Sequence, residues 1–478
     1  MEACGLWMLV AAALAMLATG LPAWVVLVGV SFAFAAGGIA AGAFDATLFN
    51  AVFPRLVGLL ENDLLQALPL YVLMGVLINR TALADTLFRA ARAALAPTRR
   101  AVPLAGLFLG VLLAPMSGSV GASVAMLSRT LYPRLAASGY PEERNVALVC
   151  VSSTLGVVVP PSLVLILLGD AMMRAHTEAS NIVASSARIV NTQDVFHAAL
   201  VPAMIFLALC IAITAWQGRG TANLPAIERC SRGDWITAAA ATALVVALLA
   251  GVALGYLYAV EAAATGGVAL VAHGLATRAL RRDVLAIVLH ETMSVTGSLF
   301  ALLVGATVFT LVQRAFGTDR WLAATFAAMG GAKVAVLASG LGAIAACALV
   351  LDAFEMIFVV IPLIAPALLV AVPDAPWVSV LILLILQASF LIPPFGYAVL
   401  MARSRTKTPV GTATLARALL PFVAAQLAVL VLVACVPQML WRESSVLTPV
   451  STQPVLSDDA ARALLDKQLE RNEEPTQK

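Results

Sequence analysis

Charge is scarce in this chain. Of 478 residues, 12% are Asp, Glu, Lys or Arg and 62% are hydrophobic, with a mean hydropathy of +0.97. A soluble domain carries about twice that share of charge. The scarcity excludes a soluble globular enzyme, a disordered protein and a nucleic-acid binder. Cysteine pattern is lacking too. The six cysteines (Cys4, Cys150, Cys210, Cys230, Cys347, Cys435) are scattered, mostly within apolar runs, and show no CxxC or Cys/His spacing. Neither a disulfide framework nor a zinc site follows. The four histidines are isolated, and no GxSxG or P-loop occurs, so no enzyme constellation is present. The N-terminus lacks a basic n-region and runs past Leu21-Pro22 into a second apolar stretch. This reads as two spans joined by a tight turn rather than a cleaved signal peptide.

Apolar stretches of membrane-spanning length fill most of the chain, enough for about ten to twelve spans or half-spans. The charge sits in short connections. Arg80, Arg89, Arg92, Arg99 and Arg100 face a lone Asp85, and basic clusters recur at Arg129–Arg144, Arg219–Arg232, Arg278–Arg282 and Arg403–Arg417. Weakly charged connections alternate with them near 41–63, 171–196 and 314–332. The basic loops are therefore expected on the cytoplasmic side and both chain ends outside. Gly, Pro and mixed charge at 217–234 divide a membrane half, 1–216, from a second, 235–437. A polar tail, 438–478, reads in part as a short surface helix with acidic residues leading. The stretch 171–194 reads best as a solvated connection, with a periplasmic helix or lid as the alternative.

Each half holds a double proline inside an apolar run, Pro160-Pro161 and Pro393-Pro394. Upstream of each lies one intramembrane polar cluster, Ser117-Gly118-Ser119 in the first half and Asp352 with Glu355 in the second. The separations are 43 positions from Ser117 to Pro160 and 41 from Asp352 to Pro393. Proline removes a backbone donor and stops a helix, yet suits the first turn of a new one. Each span then becomes two half-helices with an unwound link at membrane depth, which is tolerated only inside protein or beside a cavity. The second half-helix offers free amides to an anion, and the first offers carbonyl oxygens to a cation. Gly118 permits a hairpin turn, with hydroxyls of Ser117 and Ser119 as hard oxygen ligands. A lone double proline could merely kink a helix for packing. Matching breakers in two halves point instead to a transporter built from internal repeats. Asp352 and Glu355 share a helical face and are functional candidates, or a cap with a paired acid. Glu261 and Asp170 read as caps or boundary charges.

At these motifs the chain resembles the large membrane subunit of TRAP transporters (tripartite ATP-independent periplasmic transporters). The carriers are the Ser-Gly-Ser tip, SSTLGVVVPPS at 152–162, LDAFEM at 351–356 with Pro362 and Pro366, LQASFLIPPFG at 386–396, and PLYVLMGVLINRTALADTLF at 69–88. The run at 386–396 lies closer to the mannitol or chloroaromatic branch than to the dicarboxylate or sialic acid branches. The resemblance implies an all-α polytopic membrane protein with two inverted repeats. Each repeat would hold a re-entrant hairpin and a Pro-Pro broken helix, and the whole would work as an elevator in the bacterial inner membrane. It implies import of an organic acid with Na⁺ as coupling ion and no other cofactor, H⁺ being the alternative ion. Partners would be a small four-helix membrane subunit and a periplasmic substrate-binding protein. A stand-alone anion symporter of the same superfamily is the other reading. By motif position, Ser117, Gly118, Ser119, Ser153, Thr154 and Gly156 would form the first ion site. Asp352, Glu355, Gln387 and Ser389 would bind or couple in the second half. Substrate would sit near Pro160, Pro161, Ser162, Pro393, Pro394 and Gly396. Ile385, Ala388 and Ile392 stand where that branch carries polar residues, which leaves three readings of the second half: an ion site held by backbone carbonyls, a weakened or absent site, or proton coupling through Asp352 or Glu355.

Overall fold

The structure, a computed structural model, describes residues 4–440 apart from 62, 82, 97, 99, 117–119, 160–161, 184–189, 219–229, 330–332 and 406–409. Ser117, Gly118, Ser119, Pro160, Pro161, most of the linker and nearly all of the tail thus lie outside the described residues. Every regular element among the described residues is helical. The chain opens with α1 (Cys4–Thr19) and α2 (Ala23–Ala40), then α3 (Val52–Leu60), α4 (Asp63–Arg80) and α5 (Leu83–Leu95). There follow α6 (Ala101–Leu113), α7 (Val120–Thr130), α8 (Tyr132–Ala137), α9 (Glu142–Val158), α10 (Leu163–Val183) and α11 (Thr192–Gln217). The second half comprises α12 (Arg232–Ala253), α13 (Ala259–Ala276), α14 (Arg282–Ala315), α15 (Thr318–Ala328) and α16 (Lys333–Ala348). It ends with α17 (Ala353–Glu355), a π-helical stretch at Met356–Val360, α18 (Ile361–Ala371), α19 (Ala375–Leu391), α20 (Tyr397–Arg403) and α21 (Thr412–Cys435).

Among the described residues seven helices are long and apolar enough to cross a membrane, and nine if each of two bent pairs counts as one span. This is a multi-pass membrane protein with the expected mix of full spans and shorter apolar helices. One bent pair is α9 with α10, which meet at 41° around Val159–Ser162, where the first double proline falls. The other joins the segment Ala46–Leu60 to α4 at 55°, a break the sequence reading did not anticipate. The stretch 171–194 is not simply a solvated connection. Ala171, Met172, Ala175 and His176 are buried and α10 runs on to Val183, because its apolar face still has α18 to pack against.

The helices pair in a crossed manner. In the first half the hairpin arm α6 lies on α9, and in the second α16 lies on α19. Across the halves, α10 packs on α18 and α20 packs on α7. Likewise α21 touches α9, and α11 touches α19. Exchanging α6, α7, α9, α10 and α11 for α16, α18, α19, α20 and α21 reproduces each of these pairings, as two related repeats wound around one centre require. The repeats are unequal in length. α10 has 21 residues and α20 only 7. Outside this centre, α14 is a 34-residue rod, about 50 Å long at 1.5 Å per residue, and packs along α2 and α4. His290 and Glu291 lie on this rod, and Glu291 bonds Arg80 of α4.

Candidate functional site

Small residues bring the first hairpin against the first broken helix. A Cβ on Gly156 would lie 2.4 Å from the carbonyl carbon of Ala114, and one on Gly110 would lie 2.4 Å from Cβ of Ser152. Ser152 and Gly156 are one helical turn apart, so both face α6 and the 3-10 turn Ala114–Met116 that leads to the tip. A cavity of about 10 Å³ remains at that contact, lined by Ala114, Pro115, Ser123, Ser153, Gly156 and Leu163 among others. Its size suits one water-sized occupant. Ser123 reaches Ala114 O at 3.4 Å and Ser153 bonds Val149 O. Thr154 donates to Val151 O at 3.0 Å. Ser162 donates to Val157 O and accepts from the Leu165 amide, each at 3.0 Å, so its hydroxyl caps α10 across the break. Ser153 and Gly156 thus line one cavity, which Thr154 and Ser162 do not reach.

The second half is similar in plan and poorer in oxygen. Asp352 begins α17, and its amide donates to Glu355 Oε2 at 3.0 Å. Asp352 is the N-cap of α17 and forms a reciprocal capping box with Glu355, so the capping alternative holds for Asp352 as well as for Glu355. Asp352 Oδ1 is buried with no hydrogen-bond partner. Gln387 is fully buried on α19, and both its Oε1 and its Nε2 lack a partner. Ser389 donates to Ala345 O of α16 at 3.4 Å, tying the broken helix to its hairpin. Beyond the break, Gly396 donates to Ile392 O at 2.7 Å, and a Cβ there would lie 2.6 Å from Phe390 O. Pro393 and Pro394 are joined by a cis peptide bond. Ile385 and Ala388 are buried and Ile392 is exposed at the break. Glu261 caps α13 and Asp170 pairs with Arg174, as expected of caps and boundary charges.

Two groups escaped the sequence reading. Ser152 Oγ is fully buried without a partner. Its signal was the one-turn spacing to Gly156. Tyr397 links the halves: a Cβ on Gly121, two residues past the first tip, would lie 3.0 Å from the Tyr397 hydroxyl, and the same phenol lies within electrostatic range of Asp352 and Glu355. No sequence spacing could show that contact, because it joins residues 276 positions apart.

Buried polar atoms without partners cost about 1–3 kcal/mol each, so each calls for an explanation, a bound ion or water or a packing role among them. Replacing Gln387 by methionine, which keeps the length, separates the two explanations. The variant is expected to unfold at the wild-type temperature or above while losing transport. Thermal unfolding in detergent beside uptake in proteoliposomes checks it. A destabilised variant that still transports would make Gln387 a packing residue.

Comparison with known proteins is consistent along the chain. The family model for "Tripartite ATP-independent periplasmic transporter, DctM component" matches residues 10–439. The C4-dicarboxylate TRAP transporter large permease protein DctM of Pseudomonas aeruginosa is 25% identical over 383 residues, covering 79% of this chain and 85% of that one. The sialic acid TRAP transporter large permease protein SiaM of Vibrio cholerae is 23% identical over 401 residues, covering 82% and 89%. Among solved structures, the Alcanivorax borkumensis YdaH transporter shares the fold with a TM-score of 0.57 at 18% identity, over 84% of this chain and 90% of that one.

Proposed function

The chain belongs to the DctM component family of tripartite ATP-independent periplasmic transporters, and on that premise we propose that it is the permease through which an organic acid is imported with Na⁺. A soluble periplasmic binding protein would deliver the acid, and a small four-helix membrane subunit would complete the complex in the bacterial inner membrane, with both chain ends periplasmic. The relatives are transport permeases, and no catalytic chemistry is assigned here.

Partnerless buried atoms occur at several places in the chain, and those that support the reading are Ser152 Oγ, Gln387 Oε1 and Nε2, and Asp352 Oδ1. All lie on the broken helices or at a hairpin turn. Hydroxyl and carbonyl oxygens suit a hard cation. The half-helix start at Ser162 and the amide of Gln387 suit a carboxylate. Cation binding at the 10 Å³ cavity would hold the first hairpin on α9, and only the state with both ligands bound would move the hairpin and broken-helix unit as an elevator. Ser117, Gly118 and Ser119 would complete the first ion site, and Pro160, Pro161, Pro393 and Pro394 would border the substrate. The hydrocarbon side chains of Ile385, Ala388 and Ile392 favour a second reading, in which Asp352 carries a proton instead of a second Na⁺.

Purified protein tests the ion directly. Thermal unfolding in NaCl is expected several degrees above that in KCl of equal strength, since free ligand at 100 times Kd stabilises by about 2.7 kcal/mol. Equal unfolding in the two salts would remove Na⁺ from the account.

A further inference from the structure

On the far side of α6 from the candidate site lies a groove of about 720 Å³ formed by α5, α6, α11 and α12. Its walls are almost wholly apolar, with Leu104, Phe108, Ile211, Trp235, Ala239 and Val246 along its length. Phe108, Ile211, Trp235 and Val246 are exposed large hydrophobics, and α11 and α12 are membrane-spanning in length and composition. A groove of this kind on a spanning surface faces hydrocarbon rather than water.

One end is different. Arg100 stands four residues before Leu104, and Arg232 three before Trp235, so each continues its helix's groove-lining stripe by one turn. Among the described residues neither guanidinium has a hydrogen bond or ion pair. Trp235 lies at this same end, as an aromatic at headgroup level does. From Trp235 to Val246 the groove runs 11 residues of α12, about 16 Å, which is roughly half the hydrocarbon thickness of a bilayer. The dimensions are those of one leaflet, with cations where that leaflet's phosphates lie.

We propose that this groove binds one anionic glycerophospholipid, an acyl chain along α12 and the phosphate between Arg100 and Arg232. The site sits where α12 packs on α5, with the hairpin arm α6 as a further wall of the groove, so the lipid fills the seam beside an element of the transport centre. The proposal rests on the groove and its charged end and is independent of the transported substrate.

Native mass spectrometry of the delipidated full chain, titrated with phosphatidylglycerol or phosphatidylethanolamine, tests it. One phosphatidylglycerol per chain is expected, bound about 30-fold more tightly than phosphatidylethanolamine, from two cations near the headgroup. Arg100→Gln with Arg232→Gln should erase that preference. Ala239→Trp fills the groove from an exposed position and should remove binding of both lipids. Ala243→Phe, one turn further along, should do the same, so a folding failure in one variant does not stand alone. Lipid retained in both groove-filled variants would overturn the proposal, as would equal binding of the two lipids by wild type. An unchanged lipid count with loss of a co-purifying membrane protein in the groove-filled variants would make the groove a protein interface and overturn it equally.

Discussion

Replacing Gly156 by valine is expected to abolish coupled uptake while leaving a folded, membrane-inserted chain. The side chain would enter space where even a single Cβ stands 2.4 Å from Ala114 C and 2.6 Å from Ala114 O. Both are backbone atoms, so no rotamer relieves the clash, and the 3-10 turn leading into the first hairpin tip must lift from α9. Overpacking of this kind costs about 1–3 kcal/mol of stability, little for a helical core of this extent. The cavity lined by Ser123, Ser153 and Gly156 is about one water in volume, and a shift of a few tenths of an ångström removes its geometry. Loss of 1–3 kcal/mol in ion binding corresponds to about 5- to 150-fold. Gly156→Ala should be intermediate. Na⁺-dependent thermal stabilisation and uptake should fall together. A Gly156→Val protein stabilised by Na⁺ as well as wild type would show that the hairpin does not make the first ion site.

Asp352→Asn is the second large effect. The substitution preserves shape and the backbone amide that bonds Glu355, and it removes an intramembrane carboxylate whose Oδ1 is buried without a partner. Uptake is expected to drop at least about 100-fold, roughly 2.8 kcal/mol at 1.4 kcal/mol per tenfold. Na⁺ stabilisation through the first half should persist. Glu355→Gln keeps an oxygen to accept the Asp352 amide and should retain uptake. The pair of variants separates a coupling acid from a capping one. Transport by Asp352→Asn at the wild-type rate, with Glu355→Gln inactive, would reverse the assignments.

How much of this was legible in the sequence follows from what each feature depends on. The double prolines announce the breaks because proline acts locally, and the apolar runs announce the spans because the bilayer sets their length. Glu261 capping α13 and Asp170 pairing with Arg174 four residues on are likewise local. The family followed from several motifs in order. The Tyr397 contact with Gly121 was not legible, because it depends on how α20 crosses α7. Nor was the burial of Ser152 and Gln387 without partners, since a serine in a helix ordinarily bonds its own backbone, as Ser153 does. The stretch 171–194 misled because polar residues suggest solvent, whereas α10 continues on α18 with one buried face.

Reconstituted uptake tests the central claim most directly. The chain is placed in liposomes with the four-helix subunit and supplied with the periplasmic binding protein loaded with candidate organic acids, under an imposed Na⁺ or proton gradient. The account predicts uptake that requires the loaded binding protein, follows the Na⁺ gradient and fails in Gly156→Val. Uptake without the binding protein, or uptake that ignores the Na⁺ gradient, would contradict it.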